Sequence, residues 1–272
     1  MMRSLWTAAS GMISMQTNVD VISNNLANVN TFAYKKERLE FKTLLYQTMQ
    51  RADLDPSNQT GRPVNLQVGL GVRPIATARI FSMGNLERTD NYLDFAIEGD
   101  AYFVVTRGED DIKYTRDGAF KLSVTDEGLM FVTAEGYPIL GVDDEPIILP
   151  PDVPARNLSV DDKGSLSYTD SDGNTQYLDM QFLLVQFPNV QGLEAVGSNL
   201  YAITGASGQP MREVDGETNT ISFIRQGVLE MSNVQVAEEM INLIISQRAY
   251  DLNSKAVTTS DEMLATANNL KR

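Results

Sequence analysis

The chain has no cysteine and no histidine in 272 residues. Without cysteine there is no disulfide framework, no thiolate nucleophile and no thiolate metal site. Without histidine, Ser-His-Asp and Cys-His catalysis, HExxH metal sites and imidazole acid–base chemistry fall away together. Positive charge is scarce as well. The 22 Lys and Arg residues stand against 36 Asp and Glu, a net charge of −14, which argues against nucleic acid, whose phosphates demand a basic face. No stretch approaches the ~18 apolar residues of a membrane span, so no membrane insertion is expected. The first six residues lead into a polar-interrupted amphipathic pattern rather than an apolar core, so a cleaved signal peptide is not expected either. No cofactor or metal is implied, and composition leaves catalysis by a carboxylate pair open only in principle.

What the chain does have is concentrated at its two ends. Residues 231–272 contain neither Gly nor Pro. Ser232 and Gln235 have capping-box spacing, and Met231 and Val236 are placed as a hydrophobic staple, so a single long helix is predicted from there to the C-terminus. Glu238 and Glu239 near its start, and Lys271 and Arg272 at its end, suit the helix dipole. Its surface carries two apolar stripes where an ordinary amphipathic helix has one. Ile241, Ile245, Leu252, Ala256, Met263, Ala267 and Leu270 form the first. Met240, Leu243, Tyr250, Val257 and Leu264 form the second, about 100° around the axis. Two stripes imply two partners.

The N-terminal residues supply one of them. Leu5, Ala8, Met12, Met15, Val19, Ile22, Leu26 and Val29 recur at intervals of three and four, an a/d seam over about four heptads. Two helices of one globular core would show the same periodicity. The position of the seam at the extreme ends of the chain favours a coiled coil used in assembly. The amides Gln16, Asn18, Asn24, Asn25 and Asn28 on the other face read equally as a solvated surface or as lateral hydrogen-bonding groups.

Between the ends, three stretches differ in character, giving an expected division into terminal helices (1–30 and 231–272), an extended connector (31–81) and an all-β domain (82–230). In the connector, residues 40–49 read as a short helix or an extended run. Pro56, Gly61, Pro63, Gly69, Gly71 and Pro74 then mark turns between short strands. A segment this long without its own core lies against something else. In the β domain, alternation predicts strands at 94–97, 102–106, 113–116, 119–124 and 129–133, then at 158–160, 166–169, 176–178, 182–187, 200–204 and 221–224. Asp-Gly and Glu-Gly pairs punctuate them at hairpin spacing, as in a sandwich or irregular barrel. The fold class expected is α+β.

Candidate chemical sites are weak. Asp170-Ser171-Asp172-Gly173-Asn174 resembles part of a calcium loop but lacks the remaining ligands and reads as a hairpin turn. Asp143-Asp144-Glu145 and Asp161-Asp162 read as solvated acidic turns, and Gly69-Leu70-Gly71 lacks the strand–helix context of a phosphate cradle.

Several motifs do carry a resemblance. Ser23-Asn24-Asn25-Leu26-Ala27-Asn28-Val29-Asn30-Thr31, preceded by Ala9-Ser10-Gly11-Met12, resembles the N-terminal signature of bacterial flagellar rod and hook proteins. Ser232-Asn233-Val234, Gln247-Arg248-Ala249-Tyr250 and Asn253-Ser254-Lys255 resemble the family's other end. Tyr114-Thr115-Arg116-Asp117-Gly118 and residues 94–99 resemble its β-domain motifs. Length, together with 44–49 and 68–74, points to the distal-rod branch rather than the longer hook proteins.

The resemblance implies a self-assembling structural subunit: a homo-oligomeric helical tube, straight in the rod. It would be exported by the flagellar apparatus and placed in the periplasmic basal body. Its neighbours would be other rod proteins, the hook protein, and the periplasmic and outer-membrane ring proteins. Expected self-assembly residues are Leu5, Met12, Val19, Ile22, Leu26, Met240, Ile241, Leu243, Ile245, Tyr250, Leu252, Val257, Met263 and Leu264. A hook or proximal rod subunit, a glycan-acting enzyme and a glycan-binding module are the alternatives. One departure is Ala33, where the family usually has Gly; if that position has φ > 0, Ala33 is strained there.

Overall fold

Helix α1 (Met2–Ala27) and helix α2 (Val236–Asn269) run antiparallel and pack against each other. The computed structural model describes residues 2–52, 64–108, 111–126, 128–150, 157–170, 174–216 and 221–270. The chain forms two units, the first comprising residues 1–27, 37–79 and 235–272 and the second 28–36 and 80–234.

In the first unit, residues 40–49 resolve as extended rather than helical. Strand β1 (Glu37–Thr43) leads to β2 (Tyr46–Gln50), and β3 (Leu66–Gly69) leads to β4 (Val72–Arg79). β1 pairs with β4 and β2 with β3, both antiparallel, and the β1–β4 pair lies on α1. Gly71 makes this docking fit. It has φ +116 and stands where a β-carbon would come within 2.1 Å of Ser10 Oγ. Ser14, fully buried, donates to Ser10 O at 2.8 Å and reaches Val72 O at 3.4 Å. The connector segment 53–63 lies outside the described residues.

The α2 start differs from the capping-box expectation. Helical geometry begins at Val236, Gln235 is the N-cap residue, and no side chain caps the helix. The reason is competition for the same atoms. Ser232 Oγ accepts from Val234 N at 3.3 Å, and Met231 N is held by Asn85 O. Asn233 Oδ1 accepts from Lys36 N at 2.7 Å while its amide donates to Ile80 O and Ser82 O. Residues 231–234 are thus stitched down ahead of the helix, and Ser232 does not cap it.

The second unit is β-rich. Its strands are β5 (Leu86–Arg88), β6 (Phe95–Glu98), β7 (Tyr102–Thr106), β8 (Ile112–Thr115), β9 (Lys121–Thr125), β10 (Gly128–Val132) and β11 (Ile148–Leu149). They continue with β12 (Leu158–Val160), β13 (Ser165–Thr169), β14 (Thr175–Gln181), β15 (Leu184–Gln186), β16 (Glu194–Gly197), β17 (Leu200–Ala202), β18 (Met211–Arg212), β19 (Phe223–Gln226) and β20 (Val228–Glu230). The largest sheet has the order β16-β17-β8-β7-β15-β18, with β9–β11 and β12–β14 forming three-stranded ladders. The predicted strand at 221–224 is shifted to β19, where Phe223 to Gln226 pair with β6.

β7 explains the continuous apolar run Tyr102-Phe103-Val104-Val105, because both its faces are buried. Phe103 and Val105 enter a core with Phe95, Phe120, Phe131 and Phe182. Tyr102 and Val104 enter a second with Tyr114, Phe187 and Tyr201. Rings meet edge-on, as at Phe103–Phe120 (4.9 Å) and Tyr114–Phe187 (4.8 Å), the geometry favoured by aromatic quadrupoles.

Candidate functional site

The α1–α2 pair divides the surface of α2 unequally. Leu243, Val257 and Leu264 of the second predicted stripe are half-buried, as are Leu5, Met12, Val19 and Leu26 on α1, and Ile22 is buried. The first stripe faces away: Ile241 is 58 % exposed, Ile245 59 %, Leu252 66 % and Met263 49 %. Met240 and Tyr250, the other two residues of the second predicted stripe, are exposed as well. The stronger apolar face of α2 therefore has no partner within the described chain.

What α2 presents to α1 is partly polar, which the apolar periodicity missed. Ser4 Oγ lies 3.3 Å from Ser260 Oγ, Asn18 Nδ2 donates to Ser246 Oγ at 2.7 Å, and Asn25 Nδ2 donates to Glu239 Oε2 at 3.1 Å. At Gly11 a β-carbon would stand 2.8 Å from Asn253 Nδ2. These contacts step by seven residues along both helices. The repeat Ser4, Gly11, Asn18, Asn25 was the available signal. Gln16, Val19, Gln247, Tyr250 and Asp251 line a cleft of about 440 Å³ on this pair. Arg248 is exposed, as is Asn24.

Asn25 has a second task. It exchanges hydrogen bonds with the Glu37 backbone, donating to its O at 2.8 Å and accepting from its N at 2.9 Å. A side-chain amide here copies a strand neighbour and starts β1.

In the second unit a buried ion cluster closes around Glu230. Lys35 Nζ lies 2.5 Å from Glu230 Oε1, Arg116 Nε donates to Oε2 at 2.9 Å, and Gly84 N donates to Oε1 at 2.8 Å. Arg116 also donates to Ala101 O and Ile97 O and stacks over Tyr102 at 5.6 Å. All three charged side chains are almost wholly buried. Burial, helped by Arg116, holds the Lys35 ammonium down to about 8 against the pull of Glu230. Burial pushes the Glu230 carboxyl up, but Arg116 and Lys35 together outweigh it and leave it below the ordinary range.

The Lys35 shift has a consequence for stability. The unfolded chain holds that proton up to about pH 10.5 while the folded chain releases it near 8, so the unfolded state binds more protons in between. Stability is therefore expected to rise from pH 8 to 10, by about 2 kcal/mol. Denaturant unfolding across that range measures it, and Lys35→Met should flatten the slope. Tyr102 and Tyr114, whose burial raises them (Tyr114 to about 12), oppose this only above pH 10.

The remaining motif residues are structural. Gly118 is obligatory, since a β-carbon there would stand 1.7 Å from Phe95 O. Asp117 accepts from Ala119 N at 3.1 Å, and burial raises its carboxyl above the usual range. Asn28 and Thr31 bond each other at 3.1 Å. Ala33 has φ 55 and is buried, so the expected strain is real. At about 1–2 kcal/mol it is largely offset by the buried methyl and by the entropy a Gly would lose.

Among the described residues no cluster of acidic side chains is placed to hold a metal ion, and no helix is long and apolar enough to cross a membrane. Residues 171–173 of the calcium-like motif lie outside the described residues; Asp170 and Asn174, which flank them, pair at 3.0 Å across the β13–β14 hairpin. Asp144 is held by Arg212, and Asp162 by Arg225 at 3.5 Å.

Comparison with known proteins returns three family profiles in chain order. Residues 5–35 match "Flagella basal body rod protein", 96–168 match "Flagellar hook protein FlgE/F/G D1 domain", and 225–270 match "Flagellar basal body rod FlgEFG protein C-terminal". The flagellar basal-body rod protein FlgG of Borreliella burgdorferi is 44 % identical over 272 residues, all of both chains. That of Bacillus subtilis is 38 % identical over 275 residues, again the whole of both chains. The flagellar hook-basal body complex protein FlhP of Bacillus subtilis is 32 % identical over 278 residues and the full length of each.

Proposed function

The chain belongs to the flagellar basal-body rod protein family and is a structural subunit of the distal rod, not an enzyme; from that premise we propose how it is built into the rod. The subunit polymerises into a straight helical tube that carries motor torque to the hook. Contacts between copies are heterologous and do not close into a ring, so they propagate as a helix. The α1–α2 pair acts as a coiled coil lining the inner tube, residues 31–81 brace neighbouring subunits, and residues 82–230 form the outer wall. Met240, Ile241, Ile245, Tyr250, Leu252 and Met263 are the contact residues on α2. Other rod proteins and the hook protein adjoin it at the tube ends, and the periplasmic and outer-membrane rings surround it. The export apparatus delivers it to the periplasm.

The outward apolar face of α2 supports this reading most directly. A helix whose larger apolar stripe stays in water has left its strongest contact to be made by another molecule. Electron microscopy of the purified full-length protein under assembling conditions tests it. Straight tubes are expected. Curved or supercoiled tubes would indicate a hook-type subunit instead, and a protein that stays monomeric at every concentration would overturn self-assembly.

A further inference from the structure

The seven-residue ladder across α1 and α2 pairs complementary sizes and complementary hydrogen-bonding groups. Gly11, with no side chain, faces Asn253. The long amide of Asn18 faces the short Ser246, and Ser4 faces Ser260. The serines on α2 spend their own protons locally: Ser246 Oγ donates to Asn242 O at 2.8 Å and Ser260 Oγ to Ala256 O at 2.7 Å. Ser246 Oγ is left as an acceptor, met by Asn18 Nδ2, and Ser260 Oγ shares a hydroxyl–hydroxyl contact of 3.3 Å with Ser4 Oγ in which either can donate. Ser246, Ser260, Asn25 and Glu239 are all buried. Burial of such groups is tolerable only when they are bonded.

An apolar seam alone does not define this packing. α2 carries the larger apolar stripe on its other face, and turning that face inward would bury Ile241, Ile245 and Leu252 against α1. These three side chains are 58 %, 59 % and 66 % exposed as the helices stand, so the hydrophobic effect alone gives no reason to keep them outward. The rotation would also place apolar side chains against Asn18 and Asn25 of α1 and remove their bonds to α2, at a cost of about 1–3 kcal/mol for each buried group left without a bond.

We propose that the layers Ser4/Ser260, Gly11/Asn253, Asn18/Ser246 and Asn25/Glu239 are specificity determinants that select which face of α2 meets α1, and so keep its apolar face outward. Buried polar positions fix the setting of helix pairs in this way when the apolar pattern is ambiguous. The inference rests on side-chain geometry within one chain and stands whether or not the subunit polymerises.

The absence of cysteine makes introduced thiols unambiguous reporters. In full-length monomeric protein under mild oxidation, S4C/S260C is expected to close an intrachain disulfide. S4C/M263C, whose second thiol lies on the outward face, is not. Adding N18L and S246L removes a central layer and is expected to raise cross-linking of the second pair at least tenfold, at the expense of the first. The exchanged pair N18S/S246N keeps an amide opposite a hydroxyl and should restore the original pattern. An unchanged pattern in the leucine background overturns the proposal. So does an exchanged pair that behaves like the leucine pair, since that would implicate general disturbance rather than the polar layer. Circular dichroism of each variant reports whether the helices persist.

Discussion

Replacing Glu230 by Gln lowers the stability of the β-rich unit by roughly 3–5 kcal/mol, the usual cost of removing one partner from a buried ion cluster. Glu230 pairs with both Lys35 and Arg116, and it also accepts from Gly84 N. Its neutral analogue leaves two buried cations facing each other without a bonded counter-charge, Asp100 acting on Lys35 only as a weaker, unbonded charge. Lys35 responds by giving up its proton, which limits the loss but does not remove it, because the buried guanidinium beside it still lacks its carboxylate. Lys35→Met in the wild-type background is milder, since Glu230 still satisfies Arg116. Replacing all three at once with apolar side chains of similar size should recover much of the loss, as a buried ionic cluster is costly to assemble as well as to break. Denaturant unfolding followed by circular dichroism checks the order: the single Gln variant least stable, Lys35→Met between, the triple variant near the wild type. A Gln variant within 1 kcal/mol of wild type would mean that water reaches the cluster and screens it.

The cluster was not legible in the sequence, and the reason is topological. Glu230 lies 195 residues from Lys35 and 114 from Arg116. Nothing local marks any of them as buried. Arg116 stood out only within the Tyr114–Gly118 motif, whose logic emerges when its carbonyl partners on Ala101 and Ile97 are in place. The false cap at Ser232 fails for a related reason. The spacing to Gln235 is correct, but the Ser232 hydroxyl accepts from Val234 N instead, and the Asn233 amide is claimed by Ile80 and Ser82, 153 and 151 residues earlier. By contrast, both terminal helices and most strands were readable. Periodicity records which face is apolar whether or not a partner is present. The same feature explains the half-success on α2. Its apolar stripes were evident, yet the face that turns inward carries Ser246, Asn253 and Ser260 in its interior positions, residues that read as solvent-facing until Asn18, Gly11 and Ser4 are seen opposite them.

Ile245→Asp together with Leu252→Asp should abolish tube formation while leaving the monomer nearly as stable as before. Both side chains are more than half exposed, 59 % and 66 %. In the monomer each substitution exchanges water-contacting methyl groups for a solvated carboxylate. The change then amounts to Asp's weaker helix propensity, about 0.5 kcal/mol per position. In a polymer that buries this face, the same carboxylates must be desolvated without a partner in every subunit, several kcal/mol per copy and repeated along the tube. Leu243→Asp serves as the contrast. Leu243 is half-buried on the face that meets α1, so its loss should appear as lower monomer stability, by about 2 kcal/mol or more. Sedimentation and electron microscopy report assembly, and thermal unfolding at low concentration reports the monomer. If the outward double variant still forms tubes, the exposed face of α2 is not the contact surface. If Leu243→Asp leaves the monomer untouched, the helix pair is open in solution, and α1 and α2 then meet only within the polymer.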